Sequence, residues 1–239
     1  MIYTPLTRKA MNICYKAHDG QLDHGGMPYV FHPVHLAEQM DTENEVCTAL
    51  LHDVIEDAGI SMSYLKEEGF PEEVLNALGL LSHSLTVPYM TYIIEIRSDP
   101  LARKVKMADL RHNSDLTRLF EFGDYDIRRR QKYLIAYAML EDPDKDEDGL
   151  AIRNIPLDQE DRCYLKLHLK DNTIKKAEFI TDQGDDGKTY ACDQDMLKSI
   201  KDSFFSGGRS LPERYAEILR SEGTAEFENF LIKSGCTAL

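Results

Sequence analysis

The spacing of apolar residues changes from a helical to a strand period near residue 141, and this change constrains the fold more than any other feature. Before it, apolar side chains recur every three or four positions, as in residues 6–17 (LTRKAMNICYKA). After it, apolar and charged side chains alternate, as in residues 165–170 (LKLHLK). We therefore predict a mainly α protein: an all-helical N-terminal bundle followed by a small α+β C-terminal accessory domain.

Proline, glycine and capping residues set the predicted helix boundaries. Thr4-Pro5 is typical of an N-cap followed by proline at the first helical position. Further helical patterns run at about 33–40, 43–56, 61–68, 71–82, 88–98, 100–120 and 124–141. Because this part of the sequence contains no convincing strand pattern, we expect residues 1–141 to form a single helical domain.

An acidic segment separates the two predicted domains. Residues 141–149 read EDPDKDEDG, which is typical of an exposed linker, and we assign residues 142–154 to it. The accessory domain is then residues 155–239. There we expect three antiparallel strands near 165–170, 176–179 and 190–192, a turn at 182–188, and helices near 193–205, 211–221 and 223–234.

Charge and cysteine content exclude several classes of function. The formal net charge of −14 disfavours binding to nucleic acid or to anionic membranes, and the apolar runs are short compared with the roughly twenty residues of a membrane span. The five cysteines are scattered and contain no C-x-x-C pair, which is typical of reduced thiols. The first eight residues lack the layout of a signal peptide, so we predict a cytoplasmic protein.

Residues 52–57 (HDVIED) concentrate ionisable side chains on an apolar helical pattern. Positions four apart share a helix face, so His52 pairs with Glu56 and Asp53 with Asp57. Burying such groups is costly unless something compensates their charge. A divalent metal is the simplest compensation.

Further candidate metal ligands lie upstream and downstream of this segment. His32 is flanked by apolar residues just before a helix, and Asp109 lies on a helix with apolar neighbours. Together with His52 and Asp53 they form a set of two histidines and two carboxylates. Such a set suits Mn²⁺, Fe²⁺ or Zn²⁺, with Mg²⁺ as a further alternative, and a metal held in this way can activate water and polarise a phosphoryl oxygen.

Four strings in a fixed order carry a family resemblance. These are AHDGQ (17–21), GMPYVFHP (26–33), ALLHDVIED (49–57) and VKMADLRHN (105–113). They resemble the hydrolase domain of RelA/SpoT-type proteins and the small alarmone hydrolases, within the HD metal-dependent phosphohydrolases. The resemblance spans about residues 4–140. It implies an HD-domain bundle and Mn²⁺-dependent removal of the 3′-pyrophosphate from guanosine tetra- and pentaphosphate, as in the stringent response.

The resemblance also implies a role for individual residues. His32, His52, Asp53 and Asp109 match the metal ligands. Glu56 and Asp57 match the acidic pair that positions or deprotonates the attacking water, and Asn113 matches a residue near the substrate ribose and phosphate. From their positions in the sequence we add three candidate substrate contacts: Lys106, Arg103 and His24.

One segment departs from the family pattern. Where the family has a basic segment that contacts guanine and phosphates, residues 23–26 read DHGG. An aspartate cannot replace an arginine in stacking on guanine or in pairing with phosphate. An HD phosphohydrolase for another nucleotide or dinucleotide phosphate therefore stays open, as does a catalytically silent metal- or nucleotide-binding regulatory module.

The C-terminal domain lacks the pattern of the family's synthetase domain, so we expect hydrolysis without synthesis. Its role is open among shaping the substrate mouth, mediating homo-oligomerisation and sensing a ligand. The expected partner is a small nucleotide.

Overall fold

The computed structural model describes residues 1–84, 86–141, 145–158, 163–171, 173–181, 188–205 and 211–239. Within these ranges the chain forms two compact units. The first comprises Met1–Val87 and Thr91–Gly123, and the second Pro88–Met90 and Asp124–Leu239. The first unit is helical and the second combines a sheet with helices. This confirms the predicted fold class.

The N-terminal helices include a central helix, α3 (Glu43–Leu51), that is buried over most of its length. They are α1 (Pro5–Ala17), α2 (Phe31–Glu38), α3 (Glu43–Leu51), α4 (Val54–Ala58), α5 (Met62–Glu67), α6 (Glu72–Leu81), α7 (Tyr89–Ile96) and α8 (Pro100–Ser114), followed by a 3₁₀ turn at Leu116–Arg118. The Thr4 side chain caps α1 as predicted. Helix α3 contacts α1, α2, α6 and α8, and its residues 46–51 are buried, which places its C-terminal end in the core of the unit.

The continuous helix predicted over residues 43–56 is interrupted in the structure, because α3 ends at Leu51 and α4 begins at Val54. Adjacent residues of an unbroken helix point roughly 100° apart. At the break His52 keeps helical dihedrals (φ −60°, ψ −31°) and Asp53 departs from them (φ −103°, ψ −6°), and His52 Nε2 lies 2.8 Å from Asp53 Oδ2. The break in the helix therefore lies at the candidate site.

The second unit contains a five-stranded antiparallel sheet in the order β1-β2-β3-β4-β5 within the described residues. The strands are β1 (Ala151–Pro156), β2 (Tyr164–Lys170), β3 (Thr173–Thr181), β4 (Lys188–Cys192) and β5 (Cys236–Ala238), and the helices are α9 (Asp124–Leu140), α10 (Gln194–Phe205), α11 (Leu211–Glu222) and α12 (Thr224–Lys233). Phe179 of β3 and Phe227 of α12 are fully buried, with ring centroids 6.0 Å apart. The predicted three-stranded meander and the three final helices are confirmed.

Two features of the second unit differ from the expected boundaries. Strand β1 begins within the predicted linker, and helix α9 belongs to the second unit rather than the first. The reason is that the Gln131 side chain donates a hydrogen bond to the carbonyl of Pro156, and the buried face of α9 packs on β1. Residues 142–144 of the predicted linker and 182–187 of the predicted turn lie outside the described residues.

No helix in the described part of the chain is both long and apolar enough to cross a membrane.

His168, which has no assigned role in the sequence, is buried between two carboxylates of the second unit. Its Nδ1 lies 2.5 Å from Asp146 Oδ2, and its Nε2 lies 3.2 Å from Glu178 Oε2. Lys176 adds an ion pair of 2.6 Å to Glu178. Desolvation opposes the shift, but the hydrogen bond from His168 lowers the pKa of Asp146, and those from Lys176 and His168 lower the pKa of Glu178.

This network predicts a loss of stability in acid. A carboxylate whose pKa is lowered on folding stabilises the fold above its unfolded pKa, and this contribution disappears as the pH falls through the folded value. We therefore expect the thermal unfolding midpoint to fall when the pH is lowered from 7 to below about 4. At pH 7 the His168→Gln variant should have a lower midpoint than wild type, and its midpoint should depend less on acid. Thermal melts followed by circular dichroism between these pH values test this, with the exposed His24→Gln as control. Identical melting curves for His168→Gln and wild type would contradict it.

Candidate metal centre

Three buried side chains from separate elements converge in the first unit. His32 at the start of α2, His52 after α3 and Asp109 on α8 bring potential ligand atoms within 4.8 Å of one another. His32 Nε2 lies 3.1 Å from Asp109 Oδ1, and His52 Nε2 lies 3.9 Å from the same oxygen. Each residue was predicted as a ligand, although 77 residues separate the first from the last.

Asp53, the fourth predicted ligand, lies beside the other three. Its Oδ2 is 2.8 Å from His52 Nε2 and 3.7 Å from His32 Nε2. Its side chain is 19% exposed, whereas those of the other three are almost inaccessible. The hydroxyl of Tyr29 donates a hydrogen bond to the same Oδ2. Asp53 therefore lies at the accessible side of the cluster, and Tyr29 holds it there.

The donor set fits a divalent transition metal. The Nε2 atoms of His32 and His52 are buried and make no hydrogen bond of regular geometry with the described residues. His52 Nδ1 donates to the carbonyl of Ala49 at 2.8 Å, so in the neutral ring that binds a metal the lone pair is on Nε2. Metal-binding histidines are typically oriented in this way. Metal–ligand bonds of about 2.0–2.2 Å place neighbouring ligand atoms roughly 3–4 Å apart, as most of these atoms are.

The electrostatics of the cluster favour positive charge. Burial opposes protonation of His52, yet the facing Asp53 and Asp109 carboxylates raise its pKa to about 9. Burial likewise opposes ionisation of Asp53, but His52 lowers its pKa to about 2. Against the same desolvation, Lys106 and His32 hold the pKa of Asp109 well below its usual value. A buried site that attracts positive charge so strongly is suited to a cation.

Two predicted substrate contacts, Lys106 and Asn113, bind Asp109 in this structure. Lys106 Nζ lies 2.8 Å from Asp109 Oδ2, and the Asn113 side-chain amide donates to Asp109 Oδ1. These bonds fix the carboxylate that faces the histidines. Of the remaining predicted contacts, Arg103 lies half-buried one turn before Lys106 on α8, and His24 is exposed in the loop before α2.

The predicted acidic pair lies on α4, next to Asp53. Both Glu56 and Asp57 are exposed. Glu56 Oε1 accepts a hydrogen bond of 2.7 Å from the backbone N–H of His83, which orients its carboxylate. Desolvation of the carboxylates and the nearby Asp53 charge raise the pKa of both groups, although the hydrogen bond from His83 opposes this shift at Glu56. Carboxylates with raised pKa values are better proton acceptors than ordinary ones.

Sequence reasoning left the role of His112 undecided, and the structure places it directly behind His32. The two Nδ1 atoms are 2.6 Å apart. Burial, together with the charges of His32 and Arg118, lowers the pKa of His112 to about 3, so the ring is neutral. The available signal was its position three residues after Asp109, on the same helix face.

The side chain of Asp23 holds the loop of residues 23–26, which departs from the family pattern. Asp23 Oδ1 accepts hydrogen bonds of 2.9 Å from the backbone N–H groups of Gly25 and Met27, and Oδ2 pairs with Arg118 at 2.8 Å. Position 25 requires glycine, since a Cβ there would lie 2.6 Å from the carbonyl oxygen of Arg118. Asp23 thus fastens the loop to the 3₁₀ turn after α8.

Comparisons with known proteins identify distant relatives. No family model matches the chain. It is 28% identical over 181 residues to a probable GTP pyrophosphokinase of Mycobacterium leprae, covering 69% of this chain and 22% of that protein. It is 32% identical over 115 residues to a guanosine-3′,5′-bis(diphosphate) 3′-pyrophosphohydrolase of Haemophilus influenzae, covering 42% and 17% respectively. The chain spans about a fifth of the length of these curated relatives.

A solved structure of a metazoan ortholog of SpoT, described as hydrolysing ppGpp, superposes with a TM-score of 0.48 at 20% identity, covering 59% of this chain and 85% of that one. The sequence matches to the two bacterial proteins establish the relationship. Part of this chain is therefore distantly homologous to the RelA/SpoT-type proteins, whose members include ppGpp hydrolases with an HD domain.

Proposed function

We propose that this protein is a metal-dependent phosphohydrolase that removes the 3′-pyrophosphate from guanosine tetra- and pentaphosphate and has no synthetase activity. One observation carries the proposal: two buried imidazoles and a buried carboxylate converge, with Asp53 beside them at the accessible side. Two carboxylates and two imidazoles packed this closely in a buried site are costly without further positive charge. A divalent cation supplies that charge, and the relatives named above supply the reaction class.

His32, His52, Asp53 and Asp109 would hold the metal, which we propose to be Mn²⁺, with Fe²⁺, Zn²⁺ and Mg²⁺ as alternatives. When bound, such a metal lowers the pKa of water and polarises a phosphoryl oxygen. The surrounding residues hold the ligands in place. Lys106 and Asn113 bind the two oxygens of Asp109, and Tyr29 binds Asp53.

Glu56 and Asp57 would orient the attacking water and accept its proton. Their position on α4 supports this role, because it exposes them to solvent one turn after Asp53. Asn113, Lys106, Arg103 and His24 are the proposed substrate contacts. For Lys106 and Asn113 this role is additional to their contact with Asp109.

The Asp23–Arg118 ion pair favours a second candidate, hydrolysis of another nucleotide or dinucleotide phosphate. The Asp23 carboxylate is fully engaged by Gly25, Met27 and Arg118, so the loop is organised around an acidic residue. A guanine that is normally held by an arginine at this loop would lack that contact. The two candidate functions use the same metal centre, and their substrates differ in the base or in the second nucleotide.

The decisive experiment offers metal-loaded protein a panel of nucleotides that includes guanosine tetraphosphate, deoxynucleotides and dinucleotide phosphates. Release of GDP and pyrophosphate with Mn²⁺, abolished by chelator and by Asp53→Ala, is expected for the first candidate. Turnover of another nucleotide only would support the second. Metal-dependent binding of nucleotide without turnover of any member of the panel would establish the silent regulatory module instead.

A further inference from the structure

We infer that His112 is a positioning residue for the candidate metal centre and acts through His32. The inference rests on the proposed metal site and is independent of which nucleotide is hydrolysed. It concerns a residue to which the resemblance assigns no role.

The direction of one hydrogen bond follows from the geometry of His32. Its Nε2 faces Asp109 Oδ1 at 3.1 Å and Asp53 Oδ2 at 3.7 Å, so this is the nitrogen that would bind a metal. A ligating nitrogen carries no proton, and the ring proton of a neutral His32 must then be on Nδ1. The partner of Nδ1 is His112 Nδ1, at 2.6 Å. His112 must therefore accept with Nδ1 and carry its own proton on Nε2.

Three further contacts fix the position of His112. Its ring is nearly parallel to that of His32, at 15°, and stacks on His35 with centroids 4.4 Å apart. Its carbonyl oxygen accepts a hydrogen bond of 3.0 Å from Arg118. Because Asp109 lies one turn earlier on α8, His112 links the helix that carries one ligand to the helix that carries another. Outer hydrogen-bond partners of this kind hold a ligand in the orientation that the metal needs.

Two substitutions separate hydrogen-bond acceptance from packing. His112→Phe keeps a flat ring between His32 and His35 but cannot accept a hydrogen bond, whereas His112→Gln loses the ring and retains an oxygen acceptor. We expect His112→Phe to weaken Mn²⁺ binding about 10–100-fold and His112→Gln to recover most of the affinity. A purely structural role predicts the opposite order. His35→Phe is the matched control, because it keeps a flat ring stacked on His112 and leaves the His112 hydrogen bond to His32 intact.

The readouts are titration calorimetry of metal-free protein with Mn²⁺ and the visible absorption of the Co²⁺-substituted protein, neither of which requires a substrate. Equal Mn²⁺ affinity for His112→Phe and wild type would overturn the inference, as would tighter binding by His112→Phe than by His112→Gln. Wild-type protein that binds none of Mn²⁺, Fe²⁺, Zn²⁺ and Mg²⁺ would overturn both this inference and the proposed function. If the Mn²⁺ affinities of wild type, His112→Gln and His112→Phe follow the expected order but no nucleotide is hydrolysed, the inference is supported and the proposed function fails.

An independent observation in the second unit leads us to propose a disulfide modification site at Cys192 and Cys236. The two residues are direct partners across β4 and β5. Backbone N–H groups of Asp193 and Leu239 donate to the carbonyls of Gly235 and Thr189, respectively. Hydrogen-bonded pairs occur at every second position of an antiparallel ladder, so Cys192 and Cys236 form a non-hydrogen-bonded pair. Cα atoms in such pairs are about 4.5 Å apart, within the range of roughly 4.4–6.8 Å that a disulfide spans.

The two side chains already face each other in non-bonded contact. Both cysteines are free thiols, with sulfur atoms 3.9 Å apart, and Cys192 is half-buried rather than enclosed. Exchange with glutathione disulfide is balanced. One bond forms between the two protein sulfurs, the sulfur–sulfur bond of glutathione disulfide breaks, and the two cysteine protons end on two glutathione thiols. The new bond would tie the short terminal strand to β4.

Thiol counting and peptide mapping after treatment with glutathione disulfide test this site. Of the five thiols, two should disappear with the loss of two hydrogen masses, and the linked peptides should contain residues 192 and 236. Cys192→Ser and Cys236→Ser should each prevent the linkage, and the unlinked chain should melt on the order of 10 °C below the linked one. Retention of all five thiols, or a linkage through Cys14, Cys47 or Cys163, would refute the site.

Discussion

Asp109→Asn is expected to remove metal binding and, with it, at least about 10³-fold of the hydrolytic rate. Its carboxylate faces both histidines, and Lys106 and Asn113 bind its oxygens. The amide preserves the shape of the side chain and removes its charge, so the effect reports on the cation rather than on packing. Metal content per chain and the rate with Mn²⁺ are the two measurements.

The control for this substitution is Asp41→Asn, which removes an exposed carboxylate paired with Lys104. It should retain the metal and the activity. A thermal melt should show that Asp109→Asn is folded. Chelation should lower the melting midpoint of wild type but not that of the variant, because a metal that binds only the folded state stabilises it. Full metal content in Asp109→Asn would show that the metal lies elsewhere.

Glu56→Gln and Asp57→Asn are expected to lower kcat by about 10²–10⁴-fold while metal content stays unchanged. Both groups are exposed beside Asp53 and, in the proposal, act on water and its proton rather than on the cation. The amides cannot accept that proton. Steady-state kinetics with saturating Mn²⁺ measure the effect, and Glu67→Gln on α5 provides an exposed control.

The two acidic residues need not contribute equally. Glu56 is held by the backbone N–H of His83, so a larger effect at this position would assign it the proton transfer. Loss of metal from either variant would instead make that residue a ligand. Unchanged kcat in both would remove the pair from the mechanism.

The helical first unit and the meander of the second could be predicted because both depend on local periodicity. Helix α1 has an apolar face, and residues 165–170 of β2 alternate between apolar and polar side chains, so the fold class follows from such spacing. The edge strands could not be predicted in this way. Strand β5 has only three residues, and β1 contains the buried Arg153, which interrupts the alternation of apolar and polar side chains.

The sequence by itself determined which residues could form the metal site. His32, His52, Asp53 and Asp109 were recognisable because ionisable side chains are rare in apolar segments and because their order resembles a known family. Their residue types and approximate elements required no coordinates. The structure brings all four together.

Only the tertiary structure decided how these residues are arranged and supported. The break between α3 and α4 lies at His52 and Asp53, and the bonds from Lys106 to Asp109 and from His32 to His112 hold the ligands in place. The pairing of Cys192 with Cys236 across β4 and β5 is of the same kind. Side-chain hydrogen bonds and strand pairing between distant residues depend on packing, and packing leaves no periodic trace in the sequence.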